Sequence, residues 1–307
     1  METVSRKRAA PTTRSPRVWG TWAAVGFAWL VTRLPLKLAL DTGRALGWAA
    51  YHLSAGRRHI ARVNLSLCFP EVGGAERERR LKQVFQHVGA GAMEAAITWL
   101  NPNSPLGKRV QIEGLEHLRN AHAQGRGVLL LGGHFTCLDT FSPALTQHVD
   151  MDVMYRRSKN PVWDWLQLRG RRRYYGAVIE RSDVRALLRA LKAGHIVWYA
   201  ADQDYGPKHS VFAPFFGVPA ATITTPSRLA QFNESPVVFL EIYRDWHTLA
   251  WHVTLRPAPP GYPTGDEVAD ATRANELVEE AVARHPDQYL WIHRRFKTRP
   301  QGEVRPY

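Results

Sequence analysis

The sequence predicts an α/β fold with a mostly parallel central sheet flanked by helices. Short apolar runs, Val128–Leu131, Asp152–Tyr155 and Ile196–Ala200, are separated by segments of helical character. That alternation is the signature of strands joined through helical crossovers. The helical segments also carry their own punctuation: Ser182-Asp183 caps one that runs to Lys192, and Gly194 ends it. Two of the apolar runs lead straight into polar, glycine-containing turns, Gly132-Gly133-His134 and Asp202–Pro207. In open α/β sheets ligands bind at the carboxyl ends of the strands, so these two turns are the first places to look for chemistry.

Taken in order, the chain opens with a polar, basic stretch, Met1–Arg17, carrying Arg6, Lys7, Arg8, Arg14 and Arg17, which reads as a disordered tail. Val18–Thr32 then has no charge and contains Trp19, Trp22 and Trp29. It is shorter than the roughly 20 residues a bilayer-spanning helix needs. Its tryptophans nevertheless suit a membrane interface. Apolar character resumes over Leu34–Leu40 and Ala45–Leu53. The expectation is an N-terminal apolar membrane-anchor helix, spanning or lying in the interface, with the basic tail favouring a cytoplasmic N-terminus. Arg57–Phe69 is basic and amphipathic and is stopped by Pro70. Ala75–Leu100 repeats its apolar residues at helical spacing, with Glu76 in the first turn and Pro102 beyond the end. Val110–Ile112 reads as a short strand and Glu113–Ala123 as a helix. Pro161–Tyr174 reads as a helix with its proline near the start. Val237–Tyr243 and Ala250–Leu255 are two further strands, and Asp266–Arg284 is a closing helix.

The 307 residues contain 41 Lys and Arg against 27 Asp and Glu, a net charge of +14. Such an excess favours anionic partners. Nucleic acid is not expected among them, because the aromatic residues lie in apolar runs and no aromatic-and-glycine RNA signature is present. Two cysteines, Cys68 and Cys137, cannot build a disulfide framework or a cysteine-based zinc site. No spacing offers three credible metal ligands, and no cofactor is expected.

The stretch VLLLGGHFTCLDT, Val128–Thr140, organises the chain. A histidine and an aspartate at the end of a buried strand suggest a general base and the carboxylate that orients it. On an ideal helix five residues advance about 500°, leaving the two side chains roughly 140° apart. His134 and Asp139 therefore meet only if His134 lies on the turn and Asp139 on the first turn of the helix after it. Cys137, between them, reads as a small apolar filler rather than a covalent nucleophile.

Longer blocks carry a resemblance. NLSLCFPE (Asn64–Glu71), GGHFTCLD, YRRSKNPVWDWLQLRGRRR (Tyr155–Arg173), VWYAADQDYGP (Val197–Pro207), VFAPFFGVPAATITT (Val211–Thr225) and QYLWIHRRFKTRP (Gln288–Pro300) together resemble the lipid A late acyltransferases of lipopolysaccharide synthesis. The resemblance covers nearly the whole chain. It implies a glycerophosphate-acyltransferase-like fold and the organisation 1–17 tail, 18–55 membrane-anchor region and 56–307 α/β acyltransferase domain. It further implies transfer of a fatty acyl chain from acyl carrier protein to a hydroxyl of a Kdo-bearing lipid A precursor. Acyl carrier protein, an anionic glycolipid and a membrane are then the expected partners. The expected location is the bacterial inner membrane, with the active site on its cytoplasmic face.

The same resemblance assigns roles. His134 is the base, Asp139 its orienting carboxylate, and Arg171, after Gly170 in LRGR, stabilises an oxyanion or binds a phosphate. Asp202, Asp204 and Arg156 are expected on the substrate side. The two aspartates would shape the site or position a sugar hydroxyl. His293, Arg294, Arg295, Lys297 and Arg299 form a basic end suited to phosphate or to the acidic carrier protein. Two alternatives stand beside this reading: a glycerophosphate-type lysophospholipid acyltransferase, which shares the His-x4-Asp pair but is argued against by the blocks around Tyr155 and Val197, and a non-catalytic basic membrane-binding protein, which the charge alone would permit.

Overall fold

The computed structural model describes residues 15–307. The tail expected over Met1–Arg17 lies, up to residue 14, outside the described residues. A helical layer comes first: α1 (Trp19–Val31), α2 (Leu36–Leu53), α3 (Ala55–Cys68) and the long α4 (Gly74–Leu100). The α/β body follows with β1 (Val110–Glu113), α5 (Leu115–His122), β2 (Val128–Gly132), α6 (Ser142–Leu145), β3 (Met151–Tyr155), α7 (Pro161–Arg171), β4 (Val178–Glu180), α8 (Val184–Lys192) and β5 (Ile196–Ala200). It closes with β6 (Ser210–Phe215), β7 (Val218–Ile223), α9 (Thr225–Phe232), β8 (Val237–Asp245), β9 (Ala250–Pro257) and α10 (Glu267–Arg284).

Seven strands form one sheet in the order β1-β9-β8-β2-β5-β3-β4. All neighbours are parallel except β8 and β9, which pair as an antiparallel hairpin. Every residue of β2, β3 and β5 is buried. Helices cover both faces of such a sheet, which is why these strands read as unbroken apolar runs. The edge strand β4 and the separate hairpin β6–β7 are additions that local pattern did not reveal. β4 is three residues long, and each strand of the hairpin contains a proline.

The helical layer is fastened to the sheet in two ways. α2 lies directly on α4: a methyl group on Gly47 would come 2.1 Å from the Phe85 carbonyl oxygen, so the backbones touch where no side chain fits. Below α4, the fully buried Arg244 of β8 forms a two-armed ion pair with Glu94. Trp251 donates to the same Glu94 carboxylate (3.0 Å), and Arg244 donates to Nδ1 of His87 (2.9 Å). Removing one partner of such a pair would leave an uncompensated buried charge, at a cost of about 3–5 kcal/mol.

The expected apolar membrane-anchor helix is not found in the form of a span. Among the described residues no helix is long and apolar enough to cross a membrane. α1 has 13 residues and covers about 20 Å, against about 30 Å of hydrocarbon. α2 is longer but carries Lys37, Asp41 and Arg44. Both pack on neighbouring helices: α2 lies on α4, while Asn160, the cap of α7, donates to Thr21 Oγ1 of α1 (2.8 Å) and the Trp165 ring of α7 meets Trp22 in a tilted contact, centroids 5.7 Å apart. Large apolar side chains remain outward on this layer, among them Trp19, Phe27, Trp29, Leu30, Leu34 and Leu38.

Candidate active site

The parallel register of β2 and β5 builds the site. Gly132 lies beside Ala200, so the residues two places beyond each strand, His134 and Asp202, leave the sheet side by side. His134 Nδ1 is 2.5 Å from Asp202 Oδ1, and the His134 backbone N–H donates to Oδ2 (2.8 Å). Tyr289 O–H donates to the same oxygen (2.6 Å). Burial by itself would raise the pKa of Asp202. The imidazole charge and these three donors outweigh it and hold the carboxyl well below the usual carboxylate range. Asp202 is thus ionised and buried behind His134, and it fixes the imidazole with Nδ1 as donor. Nε2 remains as the basic nitrogen.

The expected pairing of His134 with Asp139 is therefore replaced in this structure. The first helical turn that such a pairing requires does not form after the glycines. Phe135 instead makes an antiparallel bridge to Tyr289, and a short 3-10 turn begins only at Leu138. Cys137 points into the core, and burial pushes its thiol up to about 12, which suits a filler and not a nucleophile. Asp139 turns instead toward α7 and receives Arg171 through two contacts, Nε to Oδ1 (3.1 Å) and Nη2 to Oδ2 (3.4 Å). Arg171 is held there from behind as well: a methyl on Gly170 would come 2.3 Å from the Trp99 ring, so α7 lies flat on α4 at this point.

His134, Asp139 and Arg171 line one cavity of about 490 Å³ at the carboxyl ends of β2, β3 and β5. Arg156, Arg181 and Tyr205 share its wall. A second, apolar cavity of about 540 Å³ lies between α1, α2, α4 and α7. The two adjoin through Val88, Ala92, Trp99 and Trp163, which line both. Of the expected substrate residues, Arg156 reaches the cavity, while Asp202 lies behind His134 and is bonded to it. Asp204 is buried away from the cavity and holds the C-terminal segment. It accepts from Thr298 N (2.7 Å), Thr298 Oγ1 (2.9 Å) and Gly206 N (2.8 Å).

Sequence reasoning missed Tyr289 and Gly91, and it read His293 as part of a basic surface, whereas the structure sets it in the cavity wall. The segment Gln288–Leu290 runs along the His134 turn: Thr136 N–H donates to Gln288 O (2.8 Å) and Leu290 N–H to His134 O (3.0 Å). Asn64 of α3 anchors the continuation by donating to the carbonyls of Trp291 and His293 (both 2.7 Å). The NLSLCFPE and QYLWIHRR blocks thus meet across the chain. His293 is pushed down to about 4 by burial and by the neighbouring His134, so it stands neutral in the cavity wall. Gly91 of α4 faces the turn from the other side: a methyl there would lie 2.0 Å from the Thr136 carbonyl oxygen.

A histidine bonded to a buried carboxylate, a paired arginine on the same cavity and an adjoining apolar chamber are groups suited to acyl transfer on an α/β scaffold. Comparison with known proteins narrows this. Residues 6–298 match the family model described as bacterial lipid A biosynthesis acyltransferase. The chain is 37% identical over 288 residues to the lipid A biosynthesis lauroyltransferase of Escherichia coli (strain K12), covering 94% of each. It is 38% identical over 293 residues to the palmitoleoyltransferase of the same organism, covering 95% of each. With that organism's myristoyltransferase it shares 33% over 299 residues, 96% of this chain and 92% of the relative. The chain belongs to the bacterial lipid A biosynthesis acyltransferase family, and it is an acyltransferase.

Proposed function

We propose that the protein transfers a fatty acyl group from the thioester of acyl carrier protein to a hydroxyl of a Kdo-bearing lipid A precursor. The observation that carries this reading is the His134–Asp202 pair facing a polar cavity that adjoins an apolar one. The acyl chain would lie in the apolar chamber and the hydroxyl would approach Nε2 of His134. An alcohol is a poor nucleophile at neutral pH. As its oxygen forms the bond to the thioester carbon, Nε2 takes the hydroxyl proton and Asp202 stabilises the imidazolium. The carbonyl oxygen becomes an oxyanion, for which Arg171, held in place by Asp139, offers a fixed cation. Collapse breaks the carbon–sulfur bond, the imidazolium returns the proton to the departing sulfur, and an ester and a free thiol result.

The donor protein is acidic in this reading, which the +14 charge favours. Location at the cytoplasmic face of the inner membrane rests on the outward apolar side chains of α1 and α2, which suit insertion into the interface rather than a span. The test is a purified transfer reaction with acyl carrier protein thioester and a Kdo-bearing acceptor, read by mass spectrometry. A product heavier by one acyl group, lost in His134→Ala, supports the proposal. Transfer to a glycerophospholipid acceptor in preference to the glycolipid would refute it.

A further inference from the structure

A third cavity of about 580 Å³ opens beside the one that holds His134 and is lined by Ser54, Arg57, Arg156, His293, Arg294 and Lys297, together with Gly56 and Ile60 of α3. Arg156 and His293 belong to both cavities, so the third is an extension of the reaction chamber and not a separate dent. Four cationic side chains converge on it from three parts of the chain: the start of α3, the loop after β3 and the C-terminal segment. Among the described residues none of its lining is acidic, and no carboxylate pairs with Arg57, Arg156 or Arg294.

Several of these groups are already positioned. Arg57 Nη1 donates to the Ile292 carbonyl (3.0 Å), which holds its head against the rim. Arg294 lies over the Tyr307 ring at 5.9 Å. Lys297 Nζ donates to Asp204 O (2.8 Å), and the nearest Asp204 carboxylate oxygen is 3.7 Å away. His293 stands in the shared wall, and its Nε2 is buried without a hydrogen-bond partner. Like charges brought together at fixed positions repel one another unless an anion joins them. A tetrahedral anion can take two N–H groups from each arginine and a point charge from lysine.

We propose that this cavity is a phosphate-binding subsite that holds a phosphate group of one of the two substrates while the acyl group moves at His134. Arg57, Arg294 and Lys297 grip the phosphate, and Arg156 bridges the subsite to the reaction centre. Which substrate carries the phosphate rests on the transfer reaction proposed above. The binding of phosphate itself does not. Two sources share the chemistry: the headgroup of the acceptor glycolipid, and the phosphodiester that links a pantetheine arm to its carrier protein.

The experiment compares the full-length protein with the double variant Arg57→Gln/Arg294→Gln. A control, Arg119→Gln/Arg189→Gln, removes the same charge from exposed positions on α5 and α8, away from the site. Inorganic pyrophosphate binding, followed by phosphorus NMR, should weaken at least tenfold in the double variant and change less than twofold in the control. In the kinetic arm, KM should rise at least tenfold with little change in kcat. A rise for the phosphorylated acceptor, absent when its phosphates are enzymatically removed, assigns the site to the acceptor. A rise for carrier-protein thioester but not for a phosphate-free pantetheine thioester assigns it to the donor. Equal losses in the double variant and the control would overturn the proposal, as would unchanged pyrophosphate binding. If the wild type transfers no acyl group, the reaction proposed above fails, and pyrophosphate binding still decides this one.

Discussion

Replacing Asp202 by Asn tests which carboxylate serves the base. Three donors converge on Asp202: the His134 ring Nδ1, the His134 backbone N–H and the Tyr289 hydroxyl. An ionised carboxylate accepts all three, whereas an amide has one oxygen and one NH₂. If the amide oxygen keeps the two donors at Oδ2, the NH₂ faces Nδ1. Nδ1 must then accept, the ring proton moves to Nε2, and no base faces the cavity. If the amide is turned over, the buried His134 N–H loses its acceptor, which costs about 1–3 kcal/mol. The first arrangement is therefore favoured, and the variant folds around the wrong tautomer. In a hydrolase triad a change of this kind costs about 10⁴ in kcat, so a loss of roughly 10³–10⁴, or about 4–5.5 kcal/mol of barrier, is expected here. Steady-state transfer by Asp202→Asn and Asp139→Asn, with circular dichroism to confirm folding, gives the comparison. Asp139→Asn should lose about 10- to 100-fold, through a less firmly held Arg171. The reasoning is refuted if Asp202→Asn stays within tenfold of wild type while Asp139→Asn loses a thousandfold.

Gly91→Ala places a methyl against the Thr136 carbonyl, so it should destabilise the fold by about 1–3 kcal/mol and lower kcat more than KM, because the displaced turn carries His134. Thermal melts and kinetics together check this, and a fully active, fully stable variant would show that the contact yields easily. Leu30→Glu combined with Leu38→Glu, both exposed, should weaken co-sedimentation with anionic vesicles by tenfold or more while leaving the melting temperature within a few degrees. Unchanged sedimentation would mean that another face meets the membrane. His293 is held to about 4 in the fold against its ordinary 6.5. Between those values the unfolded chain binds a proton that the folded one refuses, so His293 makes stability fall as pH drops through that window. His293→Gln should therefore flatten the decline of melting temperature between pH 6.5 and 4, and parallel curves for variant and wild type would contradict the assignment.

Much of the architecture is written locally. The runs that became β2, β3 and β5 are apolar because both faces of the sheet are covered, and Ile196–Ala200 begins and ends where the sequence pattern places it. Asp183 and Asp266 cap their helices with side-chain oxygens, as short polar residues before an amphipathic run do. His134 is legible for the same reason: a strand, two glycines and a titratable side chain are neighbours in the chain. The carboxylate bonded to the His134 ring in the structure was not legible, because a local spacing argument can weigh only residues within reach along the chain, and Asp139 was the acid within reach.

Asp202 lies 68 residues from His134, and only the adjacency of β2 and β5 in parallel register closes that distance. Strand order follows from non-local pairing and from which helices cover which face, and apolar pattern records a strand's burial without naming its neighbour. The same distinction governs the N-terminal segment. Its tryptophans and apolar residues are visible in the sequence, whereas the packing of α1 and α2 against α4 and α7 decides which of them face outward. The cations of the third cavity were equally plain as separate residues. Their convergence depends on Asn64 holding the C-terminal segment against α3, a contact made across 229 residues of chain.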